Sequence, residues 1–451
     1  MKRAQVMTAR MLLAALCTFA GARTAVAAPA PADPPLVIEG DTTTATMQGM
    51  QIIVKRVPGA DFVSGNLYVK GGARNWSHDN AVVEALALAV SAAGGSEKLA
   101  KDPFARKLAH LGSTITAETR EEYSVVRVKS LQPAWDETFA LAVDAFLRPA
   151  LPASEIEVQR QRFLSQLKHE EDDPDGRLAV LAHELMFHNH PFANRAIGTQ
   201  LTMAKLDAAQ LRAHLAKLRE TKRLLLIVVG DVDAGHVLTA ARQAFGALPR
   251  GLYRDQPLAA PAPSAPKLEA VERKLPTNYI VGHFVGPAWN DAGFAAGLVG
   301  MTALAYRELV EVRTKRNLSY APAARFTVNQ GYPLGTLYVT AVDPKTTWTV
   351  MLDEARKLGA QPIGDAELTG TKSTFLTSFL MTNETTTGQA DFLGDCQLFA
   401  GDWRAVRKLP EKIRAVTSAD VQSFAQKYLH TLQTTYLGDP AKLDKKLFES
   451  L

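Results

Sequence analysis

Residues 306–320 read Tyr-Arg-Glu-Leu-Val-Glu-Val-Arg-Thr-Lys-Arg-Asn-Leu-Ser-Tyr. Around this stretch Leu298, Met301, Ala305, Leu309 and Val312 recur at helical spacing, which predicts a helix with one stripe on the core and Arg307 and Arg313 off that stripe. Asn317 supplies a residue that tolerates left-handed geometry where the helix must stop. Leu318-Ser319-Tyr320-Ala321 then opens an extended segment toward Phe326. Arg313 falls on the last helical turn and Tyr320 at the opening of a strand, close enough to act on one ligand. Taken alone, the same residues also fit an arginine that complements the helix dipole and a tyrosine that packs at a strand end.

Working outward, 451 residues exceed a single ordinary core, so two domains or a duplicated one are expected. Lys2, Arg3 and Arg10, the apolar run Met11–Ala20 and the small residues Ala25-Val26-Ala27 read as a secretory signal peptide over 1–27, whose apolar run is too short to span a membrane. Removing it lowers the formal charge from +5 to +1, because it holds Lys2, Arg3, Arg10 and Arg23 and no acid. A nearly neutral mature chain gives no electrostatic reason for a nucleic-acid partner. Loss of Cys17 leaves Cys396 alone, which excludes an intramolecular disulfide.

Two similar halves follow. The first runs over 28–250, a Pro-rich linker occupies 251–272, and the second covers 273–451. The strand pattern Tyr279–Val285 answers Phe62–Lys70, the helix that ends near Thr314 answers the first helices, and Ala321–Thr327 with Leu337–Val342 answers the pair Ser113–Arg120 and Tyr123–Val128. Phe163-Leu164-Ser165 is echoed by Phe375-Leu376-Thr377, and Gly230-Asp231 by Gly438-Asp439. Ser154 and Glu157 predict a capping box at the head of the helix that carries the first of these. The fold class expected is α+β: two homologous halves, each with mixed β-sheets covered by helices, forming a clamshell.

The run 312–320 resembles the Leu-Arg-x-Lys-Arg-Gly-Leu-x-Tyr segment of insulinase/pitrilysin-like zinc peptidases, with Asn317 in place of the usual glycine. Gly72-x-Arg74, His190-Pro191-Phe192 and Val228-Val229-Gly230-Asp231 are further landmarks of that resemblance. It implies that Arg313 and Tyr320 hold substrate at the scissile bond. It also implies an inverted His-x-x-Glu-His motif at 85–89, where two histidines one helical turn apart bind zinc and the glutamate activates water.

The chain instead has Ala85, Leu88 and Ala89 at the three functional positions, and Gln159 and Gln166 where later glutamates are expected. The expectation is therefore no metal in this chain, with zinc carried by a partner subunit. His183-Glu184-Leu185-Met186-Phe187-His188 imitates His-Glu-x-x-His but places its second histidine one position late, off the helical face.

The function expected by this resemblance is the substrate-binding, non-zinc subunit of a heterodimeric zinc peptidase that cleaves short unfolded peptides in the bacterial periplasm. Arg313 and Tyr320 would support the transition state in trans. The alternative is a catalytically inactive peptide-binding or scaffold protein on the same fold, comparable to the peptidase-like core proteins of respiratory complex III. Independent peptidase activity through an unrecognised site is a third reading.

Overall fold

The strand Leu224–Gly230 (Leu-Leu-Leu-Ile-Val-Val-Gly) is buried at every position, so both faces of its sheet are covered. The computed structural model describes residues 36–255, 258–327 and 331–451, with the backbone alone at 73–74; the signal peptide expected at 1–27 and the side chain of Arg74 lie outside these. In chain order the first sheet uses β1 (Val37–Glu39), β2 (Thr42–Met47), β3 (Met50–Arg56), β4 (Phe62–Lys70), β5 (Thr114–Thr119), β6 (Tyr123–Leu131) and β7 (Leu224–Gly230), in the spatial order β1-β2-β3-β7-β4-β6-β5. The second uses β8 (Lys267–Glu272), β9 (Asn278–Val285), β10 (Ala323–Thr327), β11 (Leu334–Ala341) and β12 (Gln433–Gly438), in the order β10-β11-β9-β12-β8.

The two orders are the same topology written twice. β3-β7-β4-β6-β5 corresponds to β8-β12-β9-β11-β10, and in each the pair β3·β7 or β8·β12 is parallel while the rest are antiparallel. The helices repeat in step: α1 (Ala81–Ala93), α2 (Lys101–His110), α3 (Trp135–Leu147), α4 (Ala153–Asp172), α5 (Pro174–Met186), α6 (Gln200–Ala204), α7 (Ala208–Leu218) and α8 (Ala234–Phe245) serve the first half. The second has α9 (Gly293–Glu308), α10 (Pro344–Ala360), α11 (Asp365–Thr382), α12 (Thr386–Asp395), α13 (Ala405–Ala415), α14 (Ser418–Tyr428) and α15 (Lys445–Phe448). The chain is thus α+β, with two sheets covered by helices and two matching halves. Residues 267–272, assigned from sequence to the end of the linker, form β8, because the alternation in Lys-Leu-Glu-Ala-Val-Glu suits a half-covered edge strand.

On each sheet one face holds the half's own core. Leu224, Leu226 and Val228 join α1, α3 and α7 there, and Ile280, Phe284 and Val339 join α9, α10 and α14. The other face is roofed by a helix from the opposite half. α12 lies on β4 and β7, with Ala390 and Leu393 against Ile53, Tyr68, Leu225 and Ile227. α5 lies on β9 and β12, with Leu178 and Ala182 against Val281 and Leu437.

Polar bonds fix the exchange. Asn66 and Arg127 both donate to Asp391, at 2.8 and 3.0 Å, and Ser64 bonds the hydroxyls of Thr386 and Thr387 at 2.9 Å. Gly394 lets α12 sit this close: a Cβ there would lie 2.2 Å from the Tyr68 hydroxyl. The Arg273 guanidinium donates to the carbonyls of Glu171 and Asp172, closing the C-terminus of α4 from the other half.

The predicted Ser154/Glu157 capping box does not form. Pro152 occupies the N-cap of α4 with no side-chain cap, and Glu157 instead accepts from Arg160 and Gln161 one turn on.

Candidate functional site

After sixteen residues of α-helix, α9 passes into a π-helical turn over Leu309–Thr314. The Lys315 N–H reaches back to the Val310 carbonyl, and the Leu318 N–H to that of Val312. The wider turn inserts one residue into the helical ladder. Val312 is buried in the core at one side of it and Arg313 emerges at the other. Leu309, expected on the core stripe, is 39% exposed; the stripe runs through Met301, Leu304, Glu308 and Val312 instead. The buried carboxyl of Glu308 hid that register.

Asn317 stops the turn at φ 51°, the left-handed geometry its residue type predicts. Tyr320 follows three residues ahead of β10, not on the strand itself as expected, and is 78% exposed. Arg313 stacks on it, its guanidinium carbon 3.9 Å from the ring centroid. The neighbouring cations are already engaged. Lys315 donates to Glu311 at 2.6 Å and Arg316 donates to the same carboxylate, which together hold it down at about 2. Among the described residues no carboxylate pairs with Arg313. A half-buried guanidinium with no carboxylate partner among the described residues therefore lies against an exposed phenol ring, which brings five N–H donors and one O–H donor to one place. Behind them Arg307 donates two bonds to Glu367, at 2.5 and 2.9 Å, tying α9 to the first turn of α11.

The four positions that the resemblance marks as a degenerate zinc site, Ala85, Leu88, Ala89 and Gln166, lie on α1 and α4. Ala85 and Leu88 are buried, Leu88 completely, and Ala89 is half-buried. Gln159 donates to Glu155 within α4 at 2.6 Å, while Gln166, exposed, donates to Glu170. Methyl and isobutyl groups offer no lone pair, and a neutral amide replaces a carboxylate, so these residues do not fit a zinc ion. The one acid of this helix, Glu84, is buried in a structural truss. It accepts from Ser124 at 2.5 Å and Trp76 at 3.4 Å and meets His214 Nε2 at 3.1 Å. Burial pushes its carboxyl up, and these three partners outweigh that and hold it below the ordinary range.

The histidine-rich stretch serves the backbone. His183 Nε2 bonds the Phe192 carbonyl at 2.7 Å, His190 Nε2 bonds that of Ala259 at 3.0 Å, and His188 is exposed.

Residues 51–200 match the family described as Insulinase (Peptidase family M16), and residues 205–375 match its Peptidase M16 inactive domain. The chain belongs to the insulinase-like peptidase family. An uncharacterised zinc protease of Rickettsia felis is 18% identical over 88% of this chain and 96% of its own length. The solved M16 inactive domain from Pseudomonas fluorescens superposes with a TM-score of 0.80 at 17% identity, over 88% of this chain and 98% of that one. The periplasmic protease PqqL from Escherichia coli superposes with a TM-score of 0.74 at 16% identity, over 90% of this chain but only 46% of that one. Within this insulinase-like fold, Arg313 lies in the part that matches the inactive-domain description. Among the described residues no helix is long and apolar enough to cross a membrane.

Proposed function

We propose that this chain is the substrate-binding, non-zinc subunit of a heterodimeric zinc peptidase that acts on short unfolded peptides in the bacterial periplasm. The observation that carries the reading is the contrast within one molecule. Arg313, half-buried and free of acidic partners among the described residues, stacks on the exposed Tyr320, while the positions that would hold zinc are filled by alanine and leucine.

In this reading zinc and its activated water come from a paralogous partner that bears the His-x-x-Glu-His motif. This chain's contribution is positioning and charge. Arg313 donates its fork to substrate carbonyls, and the Tyr320 hydroxyl donates to the oxygen that gains negative charge as the peptide carbonyl is attacked. The length of PqqL is in keeping with this: a periplasmic protease more than twice as long as the region matched here has room for a second such unit.

The test is to recover the tagged chain from its native host and identify what co-elutes. A stoichiometric paralogue that carries zinc is the expected result. A monomer or homodimer would overturn the split-peptidase reading in favour of a binding or scaffold protein on the peptidase fold.

A further inference from the structure

The second sheet leaves part of its outer face unroofed. α5 covers β9 and β12 but stops short of the β10 edge, leaving a trough of about 540 Å³ between the helix and strands β9, β11 and β10. Strand alternation decides what lines it. Thr336 pairs with His283 on one side and with Arg325 on the other, so His283, Thr336 and Arg325 form one row across the trough floor. Phe326, the neighbour of Arg325, turns the opposite way, into the core against Phe294 and Phe424.

That row has one charge. His283 Nδ1 bonds the Thr336 hydroxyl at 2.9 Å, and burial together with the nearby His183 pushes its imidazole down to about 4, so it is neutral at pH 7. Burial also lowers His183, on the α5 wall. Among the described residues that line the trough the one acid is Asp175, which sits one row away and accepts from the Tyr338 hydroxyl at 2.6 Å. Arg325 has no ion pair among the described residues. Leu178, Phe187 and Leu334 give the same trough apolar walls. A concave site that sets one guanidinium without an ion pair beside apolar walls, its one carboxylate held off by the Tyr338 hydroxyl, fits a ligand that has a carboxylate next to an apolar group.

We propose that this trough binds a carboxylate of a short peptide, Arg325 taking the carboxylate and the apolar walls the adjoining side chain. That the ligand is a peptide rests on the function proposed above; the trough does not. The carboxylate belongs either to the peptide C-terminus or to an acidic side chain.

Calorimetric titration of the purified full chain with acetyl-Ala-Ala-Leu, its C-terminal amide, and acetyl-Ala-Glu-Leu-amide separates these. Loss of one charge-assisted contact is expected to weaken binding by about tenfold. Arg325→Gln is expected to weaken the free acid by that factor and to abolish its advantage over the plain amide. If the acidic amide binds in an Arg325-dependent way and the free acid shows no advantage, the source is a side chain. Equal binding of all three peptides, or an unchanged affinity in Arg325→Gln, would overturn the proposal. Failure of the partner-subunit reading appears elsewhere, as the absence of a zinc-bearing partner.

Discussion

Arg313 and Tyr320, seven residues apart in the chain, are brought face to face by a π-helical turn and a single left-handed asparagine. Tyr320→Phe keeps the ring on which the guanidinium rests and removes only the hydroxyl. In the heterodimer proposed above it is expected to lower kcat on a fluorogenic peptide by about 100-fold, the effect of losing one oxyanion donor. Arg313→Ala removes the proposed carbonyl contact and the charge together and is expected to do at least as much. Turnover at the wild-type rate in both variants would show the pair to be a remnant.

Asn317 is the hinge of this arrangement. Glycine has no Cβ to clash at φ 51°, so Asn317→Gly is expected to leave thermal stability nearly unchanged. Asn317→Val places a β-branched side chain in the left-handed region and is expected to cost about 1–2 kcal/mol. Turnover is expected to fall as well, because the displaced loop carries Tyr320. Denaturant unfolding alongside peptide cleavage checks both.

Glu308 is fully buried on α9, and neither carboxylate oxygen has a hydrogen-bond partner. Burial, and then the charge of Glu354, raises its carboxyl well above the ordinary range. The folded state therefore holds a proton that the unfolded chain releases above about pH 4.3. Its contribution to stability is full below that pH and is lost as pH rises toward the folded value. Glu308→Met removes the orphaned acid at similar volume. It is expected to raise stability at pH 7 by about 1–3 kcal/mol, with an advantage that grows with pH. Denaturation midpoints measured from pH 4 to pH 8 check the slope as well as the sign.

Leu178 is a contact by which the first half holds the second. Leu178→Ala is expected to destabilise the chain by about 2–4 kcal/mol. Because α5 and α12 couple the sheets reciprocally, the loss is expected in a single calorimetric transition that takes both halves down together. Two resolved transitions would show that the halves unfold independently.

The residues explain which of these features were legible beforehand. The repeated strand order, the helix ahead of Arg313 and the stop at Asn317 are local patterns, and each survives in the structure. By spacing alone Leu309 fits the core stripe and the acid Glu308 does not, and no spacing rule foretells a buried unpaired acid or an inserted π residue. The unbroken apolar run Leu224–Val229 is the composition of a strand covered on both faces. It could not say that the second cover comes from residues 386–395, since contacts that distant leave no local trace. Nor did the sequence reading single out Arg325, whose meaning depends on its register opposite Thr336.

The exchange of α5 and α12 also sets the order in which the protein can be completed. A chain made from its N-terminus lays down α5 long before the strands that will shelter it, and the aliphatic face of β7 stays bare until α12 emerges. The proline-rich connection is therefore no seam at which the molecule can be divided. Truncated products will be left with naked sheet, prone to aggregate or be degraded, and native structure will arrive only with the final third of the chain.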